Sequence, residues 1–211
     1  MQQADTVVLI HGIWMTGLEM SLLRLRLARC GYRTRQFHYP SLRRSPADNA
    51  RRLAAWLERI EGERIHLVAH SLGGIVACHL LATQPPPRLG RMLMLGTPLQ
   101  GSALARRLNA SPWSRWLLGR AGEQGLLGNL PDCGSNSEIG MVAGQRGYGI
   151  GRLLYPGLPR PSDGTVSLLE TDHPAVGSRL HVHNGHFGML LSKRVAEAAC
   201  RFLDCGRFDA S

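Results

Sequence analysis

The sequence predicts an α/β fold in which a mostly parallel sheet lies between layers of helices. Short, continuously apolar runs, typical of strands that are buried on both faces, alternate along the chain with helix-like segments. Two parallel strands need a long crossover between them, and a helix is the usual one. Several of these runs end in Gly, Ser, Thr or His, at the edge where open parallel sheets form their sites.

Four strands and three helices are expected in the first half of the chain. The strands are apolar or alternating segments, and they cover residues 6–10, 33–39, 64–69 and 91–95. The helices carry apolar residues at helical spacing, and they cover residues 18–30, 45–60 and 75–83. Gly31 is a typical stop signal for the first helix, and Ser45 and Pro46 are a typical cap and first turn for the second.

The second half is expected to contain fewer strands. No strand is predicted over 99–131, which contains two short helix-like pieces over 102–108 and 113–118. The remaining elements are a strand over 138–143, a Gly/Pro-rich loop over 144–161, a last strand over 180–183 and an amphipathic helix over 189–203.

The length and the charge of the chain limit the function classes. A chain of 211 residues is large enough for one well-filled core, so a single domain over 1–211 is expected. The net charge of +10 comes almost entirely from scattered arginines, with Lys193 the only lysine. Nucleic-acid binding is therefore not predicted, because no dense basic block with interleaved aromatic residues is present. Attraction to anionic membranes or acidic substrates is left open.

The chain is expected to act in the cytoplasm. It shows no signal peptide at its start and no apolar stretch of ~20 residues that would cross a membrane. The five cysteines are an odd number without C-x-x-C spacing, and they are expected to be reduced and mostly buried. They are Cys30, Cys78, Cys133, Cys200 and Cys205.

Ser71 lies between the third strand and the following helix, in the run Ala69-His70-Ser71-Leu72-Gly73-Gly74. A strand, a sharp turn with Ser at its apex and a helix form a nucleophile elbow, which lifts the hydroxyl above the sheet. Small residues are needed two positions before and after the Ser because the strand and helix backbones nearly touch. Ala69 and Gly73 meet that need.

A Ser nucleophile needs a base, and the base needs a group that orients it. In folds with this strand–Ser–helix elbow, the three catalytic residues follow one another along the chain in the order Ser, acid, His. Asp163, in the turn-prone run Ser-Asp-Gly-Thr-Val, is the predicted acid. Asp132 and Asp172 are the competing acids, and each fits the expected position after a late strand less well.

The predicted base is His186, which follows the last strand in a loop that contains Gly. His181 and His183 fall inside that strand, where a structural or exposed role is expected. His70 is the neighbour of the nucleophile, and neighbours in an elbow point away from one another. It is therefore expected to pack under the turn, and His66 and His79 are expected to be structural.

Acyl transfer also needs hydrogen-bond donors for the charge that develops on the carbonyl oxygen. The backbone N–H groups of Leu72 and Ile13 are the predicted donors, one after the nucleophile and one in the loop after the first strand. His11 is expected to brace that loop. Gly12 is expected to allow a positive φ or a close approach of the acyl group.

Five segments together resemble the α/β-hydrolases of the bacterial lipase and esterase group. They are the runs at 8–13, 68–74, 96–102, 163–166 and 185–190, and they occur in the order of that family. The resemblance implies an α/β-hydrolase fold without a large lid. The chain starts directly at the strand before the oxyanion loop, so the first two strands of the family are expected to be missing, which leaves about six.

The resemblance and the triad together predict a serine hydrolase of carboxylic esters that works through an acyl-enzyme on Ser71. A small acyl ester or lipid is the expected substrate, with no metal and no cofactor. An acyl thioesterase or acyltransferase with the same triad, or a non-catalytic binding module, is the alternative. The segment 99–131 is a candidate small cap. Three interpretations of its Trp113 and Trp116 are open: they form an apolar lip for the substrate, they contact a membrane, or they pack against the sheet. Packing against the sheet is the favoured of these interpretations.

Overall fold

One parallel sheet of six strands organises the molecule, and a computed structural model describes residues 5–133, 138–147 and 150–208 of the chain. The strand order across the sheet is β2-β1-β3-β4-β5-β6, and every neighbouring pair is parallel. The strands are β1 (Thr6–Ile10), β2 (Arg33–Phe37), β3 (Ile65–His70), β4 (Leu89–Leu95), β5 (Ile139–Gly144) and β6 (Ser178–Val182). The predicted fold class is confirmed.

The helices lie between and after these strands. Those of seven residues or more are α1 (Ser21–Arg29), α2 (Pro46–Leu57), α3 (Leu72–Thr83), α4 (Ala103–Asn109) and α9 (Lys193–Cys205). The shorter ones are α5 (Pro112–Arg115), α6 (Ile150–Leu154), α7 (Leu168–Thr171) and α8 (Gly188–Leu191), with two 3-10 turns over Leu18–Met20 and Gly119–Gly122. Within the described ranges, no helix has the length and apolar character needed to cross a bilayer.

Alternating side chains of the buried strands build a core on each face of the sheet. In β1, Val8 and Ile10 face the layer that contains α2 and α3, whereas Val7 and Leu9 face the layer that contains α1 and α9. All five residues of β1 are buried, as expected for a strand covered on both faces. The two cores hold the carboxyl ends of β1, β3 and β4 at one edge.

Three local predictions differ from the structure. The last predicted helix is interrupted at Ser192, which is extended and caps α9 by accepting a hydrogen bond from the Val195 N–H. Helix α6 lies inside the predicted loop over 144–161, of which residues 148 and 149 lie outside the described residues. Helix α7 was not predicted, although Ser167 and Glu170 form a capping box at its start.

The segment over 99–131 contains no strand longer than a single bridge, as predicted. The favoured interpretation of its aromatic residues is wrong. Trp113 is 90% exposed and Trp116 is 71% exposed, so neither packs against the sheet. No residue of α5 is buried, and the segment is anchored after the helix by Leu118, which is buried in the core.

The expectation of reduced cysteines is also wrong. Cys30 in the turn after α1 is disulfide-bonded to Cys200 in α9, and Cys78 in α3 is disulfide-bonded to Cys133. Cys205 is the free cysteine among the described residues. Disulfides persist in oxidising compartments and are rare in the cytosol, so the expected cytoplasmic location loses the support that it drew from the cysteines.

Candidate active site

Ser71 lies at the apex of a strained turn between β3 and α3. Its φ of 53° and ψ of −120° lie in a region that non-glycine residues rarely adopt. The turn is held by the Ser71 N–H, which donates to the Leu95 carbonyl oxygen at 2.9 Å, and by the Thr97 hydroxyl, which donates to the Ser71 carbonyl oxygen at 3.0 Å. These contacts with β4 and the loop after it stabilise a conformation that the residue itself disfavours.

Two glycines let the elbow approach the sheet. A Cβ atom on Gly73 would collide with the carbonyl oxygen of Ile10 in β1. A Cβ atom on Gly74 would collide with the side chain of Thr97. The close contact predicted for Gly73 is therefore present, and Gly74 needs the same absence of a side chain.

Asp163 and His186 form a buried pair. Only 1% of Asp163 and 5% of His186 is exposed, and the Nδ1–H of His186 donates to Oδ2 of Asp163 at 2.6 Å. The backbone N–H of His186 donates to the carbonyl oxygen of Asp163 at 2.9 Å, which fixes the two residues by a second bond. This arrangement leaves Nε2 as the ring nitrogen available to another group.

The carboxylate of Asp163 is held by its own loop. Its Oδ1 accepts hydrogen bonds from the backbone N–H groups of Thr165 at 2.9 Å and Val166 at 2.7 Å. Gly96 and Gly144 leave room around it, because a Cβ atom on Gly96 would lie 2.9 Å from Oδ2 of Asp163 and one on Gly144 would lie 2.7 Å from its Cβ. The orientation of the Asp163 carboxylate is therefore fixed by its own loop and by His186.

His70 lies beside the predicted base without competing for its role. The ring centroids of His70 and His186 are 4.5 Å apart, and Nε2 of His70 lies 3.2 Å from the carbonyl oxygen of His186. Since a carbonyl oxygen only accepts, Nε2 carries the proton and Nδ1 is left without a partner among the described residues. Burial holds the pKa of His70 well below its usual value, and the neighbouring His186 lowers it further. His70 is therefore a neutral donor that fixes the loop of His186.

The loop after β1, predicted to hold the oxyanion, is braced by Tyr39 and His11. The Tyr39 hydroxyl donates to the His11 carbonyl oxygen at 2.6 Å, and the Tyr39 ring stacks on the His11 ring with centroids 4.2 Å apart. Nδ1 of His11 lies 2.9 Å from the Gly12 carbonyl oxygen, and burial lowers the His11 pKa, so the neutral ring donates this bond. Within the described part of the chain, the N–H groups of Ile13 and Leu72 donate to no acceptor.

Gly12 acts through close approach and not through a positive φ. A Cβ atom there would lie 3.0 Å from Nδ1 of His70 and 3.2 Å from the Cβ of Ser71. The positive φ in this loop belongs to Trp14, at 60°. The loop is therefore pressed against the elbow at Gly12 and turns away from it at Trp14.

An apolar pocket of about 200 Å³ connects these groups. Its lining consists of Gly12, Ile13, Trp14, Met15, His70, Ser71, Leu104, Gly151, Thr165, His186 and Phe187. The pocket brings Ser71, His186 and the loop after β1 together, with Asp163 behind His186. Leu104 and Gly151 were missed from the sequence because they come from two separate segments and belong to none of the recognised motifs.

The other candidate acids lie elsewhere. Asp132 lines a different surface cavity together with Glu138, which immediately precedes β5. Asp172 forms an ion pair with Arg179 at 3.1 Å, near the start of β6. Both positions are at the amino ends of the last strands, whereas the pocket is at the carboxyl ends.

The remaining candidate histidines also lie outside the pocket. His181 is exposed in β6, and His183 follows that strand and is also exposed. Nδ1 of His66 accepts a hydrogen bond from a backbone N–H in β4 at 2.9 Å. His79 is bound to the Gln124 carbonyl oxygen at 2.6 Å. Among the described histidines, His11, His70 and His186 are those placed around the elbow.

The lowered pKa values of His70 and His11 predict a protein that loses stability in mild acid. The unfolded chain protonates its histidines near pH 6.5, whereas the folded chain resists protonation of these two. The unfolded state therefore binds more protons as the pH falls below about 6.5, which favours unfolding. We expect the urea midpoint to be highest above about pH 6.5 and to fall steadily toward pH 5.

The control for this prediction compares His70→Asn with His181→Asn. His70→Asn should reduce the loss of stability between pH 6.5 and 5, because one buried imidazole is gone while His11 and His66, whose pKa values burial also lowers, remain. His181→Asn changes an exposed ring and should keep the full slope. Equal slopes in the two variants would contradict the assignment of the acid sensitivity to His70.

Residues 2–149 match a protein-family model described as a domain of unknown function, DUF7379. The chain belongs to the DUF7379 family. No curated protein matches the sequence. In this chain the family region contains the loop after β1, the elbow and β5, whereas Asp163 and His186 lie beyond it.

Solved structures show that this DUF7379 chain has the α/β-hydrolase fold. A lipase from Bacillus licheniformis, BlEst2 in mature form, is 22% identical with a TM-score of 0.75, over 90% of this chain and 86% of that one. The metagenomic carboxyl esterase MGS0156 is 18% identical with a TM-score of 0.66, over 88% of this chain and 65% of that one. A bromoperoxidase from Bacillus anthracis is 15% identical with a TM-score of 0.65, over 96% of this chain and 93% of that one.

Proposed function

We propose that the protein is a serine hydrolase of carboxylic esters in which Ser71 forms an acyl-enzyme. The observation that carries the proposal is the buried His186–Asp163 pair, joined at 2.6 Å, whose His186 lines one pocket with a strained Ser at an elbow. Strain and buried ionisable pairs that converge on a pocket are typical of catalytic sites. The esterases and lipases among proteins of the same fold agree with this proposal.

In the proposed reaction, Oγ of Ser71 attacks the ester carbonyl carbon while Nε2 of His186 takes the hydroxyl proton. The carbonyl electrons move to the oxygen, and the N–H groups of Ile13 and Leu72 stabilise the negative charge. Collapse of this intermediate breaks the bond to the alcohol, which leaves with the proton from His186. A water, deprotonated by His186, then attacks the acyl-enzyme and releases the acid, which restores the Ser71 hydroxyl. Asp163 holds the ring tautomer throughout and stabilises the imidazolium.

The pocket favours a short acyl group. At about 200 Å³ it is smaller than the ~300–1,000 Å³ typical of sites for drug-sized ligands. Its walls are apolar at Trp14, Leu104 and Phe187, so an acyl chain of a few carbons gains burial there while a long one extends out of it.

A panel of p-nitrophenyl esters from two to sixteen carbons, with a matched thioester of the best acyl group, tests the proposal. We expect kcat/KM to be highest among the short acyl groups and the oxygen ester to be hydrolysed. A thioesterase would instead hydrolyse the thioester far faster than the ester, and an acyltransferase would need an added alcohol for turnover. A non-catalytic binding module would hydrolyse neither, which would overturn the proposal.

A further inference from the structure

Two tryptophans project from the surface at the short helix α5, Trp113 within the helix and Trp116 directly after it. Trp113 is 90% exposed and Trp116 is 71% exposed, although large aromatic side chains are mostly buried in globular proteins. They are three residues apart in a helical turn, so they project on the same side of it. The indole N–H of Trp116 donates to the Trp113 carbonyl oxygen at 2.9 Å, which satisfies its polar group within the turn.

Arginines surround these tryptophans. Arg115 lies between them, and Arg107 is exposed on the preceding helix α4, which packs against α5. The backbone N–H of Arg120 donates to the Leu42 carbonyl oxygen at 2.9 Å, which brings the exposed Arg43 near the end of the same segment. Within the described residues, no carboxylate pairs with the guanidinium groups of Arg43, Arg107 or Arg115.

We propose that Trp113, Trp116, Arg107 and Arg115 form a docking surface for a bilayer that contains anionic phospholipid. Tryptophan rings are stabilised at the boundary between headgroups and acyl chains, and unpaired arginines are attracted to anionic headgroups. The net charge of +10 acts in the same direction over the whole molecule. A surface that is both aromatic and cationic fits this partner better than it fits a second copy of the same positively charged chain.

The docking surface is joined to the mouth of the candidate active site. The indole N–H of Trp14 donates to the carbonyl oxygen of Leu117 at 2.7 Å, and Trp14 also lines the pocket. Docking through α5 therefore places the pocket next to the bilayer. Membrane binding itself does not depend on ester hydrolysis, so the two proposals fail separately.

The test measures binding of the full chain with Ser71→Ala to vesicles by cosedimentation and by tryptophan emission. We expect binding to phosphatidylcholine vesicles that contain phosphatidylglycerol, a blue shift of the emission, and little binding to phosphatidylcholine alone. In this background, Trp113→Ser/Trp116→Ser should weaken binding at least tenfold. Arg107→Gln/Arg115→Gln should weaken it several-fold and reduce its dependence on salt.

Matched controls come from helix α1, on the other face of the sheet. Leu25→Ser removes an exposed apolar side chain and Arg24→Gln/Arg29→Gln removes two exposed arginines, and both should bind within twofold of the parent. The double tryptophan variant should keep the far-UV circular dichroism and the urea midpoint of the parent, which shows that it folds whether or not the chain hydrolyses esters.

Three results would overturn the proposal. The parent could fail to bind the anionic vesicles, or the double tryptophan variant could bind them as tightly as the parent does. Light scattering could instead show a parental dimer that the tryptophan substitutions dissociate, which would assign the surface to a second copy of the chain.

Discussion

Replacing Ser71 with Ala is expected to lower kcat/KM for a short p-nitrophenyl ester by about 10⁵–10⁶. The remaining rate is the one that substrate binding and the proposed oxyanion donors support without a nucleophile. The loss is large because the attacking oxygen is gone, and no other hydroxyl in the pocket lining occupies the apex of the elbow. The urea midpoint should stay near that of the parent, since Oγ of Ser71 makes no hydrogen bond to any described residue. A variant that retains most of its activity would contradict the assignment of the nucleophile.

A second substitution at the same position separates catalysis from folding. Ser71→Gly should be as inactive as Ser71→Ala, but more stable than it by about 1 kcal/mol, because glycine adopts a φ of 53° without the strain that a Cβ atom causes. Urea unfolding of the two variants measures the difference. Equal stabilities would mean that the turn is not strained by its side chain.

Loss of the orienting acid is the second large effect. Asp163→Asn should lower kcat/KM by about 10⁴, because an amide at the position of Oδ2 no longer enforces the tautomer with the proton on Nδ1 of His186. His186→Ala should lower it by about as much as Ser71→Ala does, since the two residues act as one unit. The double variant Ser71→Ala/His186→Ala should therefore be no slower than either single one.

Asp172→Asn is the matched control for the acid. It removes a carboxylate whose partner is Arg179, at the amino end of β6, and should leave kcat/KM within twofold of the parent. If Asp172→Asn strongly lowers kcat/KM and Asp163→Asn changes it little, the acid has been assigned to the wrong residue. Circular dichroism of both variants checks that neither has unfolded.

Much of the fold could be predicted because local patterns and global architecture agree. The apolar run of β1 can only be a strand buried on both faces, and the helix after each strand makes a parallel neighbour necessary. Because the carboxyl ends of parallel strands lie at one edge of a sheet, His11, Ser71 and the residues after β4 were predicted to lie together at that edge. The predicted bounds moved by a few residues, as they do where caps and not core residues decide where a helix ends.

The features that sequence reasoning missed depend on contacts between distant segments. Cys30 and Cys200 are 170 residues apart, and no spacing rule pairs them. The indole N–H of Trp14 donates to the Leu117 carbonyl oxygen, a partner 103 residues away.

For the candidate site, the sequence predicted residue types at strand ends but not their contacts. The run that contains Asp163 was recognised as a turn, while the two backbone N–H groups that hold its carboxylate emerge only from the folded loop. The neutral state of His70 likewise requires its burial and the carbonyl oxygen of His186, neither of which a motif reveals.

Covalent labelling with a fluorophosphonate tests most directly whether Ser71 is an activated nucleophile. The intact chain should gain the mass of one phosphonyl group, and peptide mapping should place it on Ser71. Labelling should be slowed by Asp163→Asn and absent in Ser71→Ala. A chain that stays unlabelled under conditions that label a known serine esterase, or a label on another residue, would contradict the account.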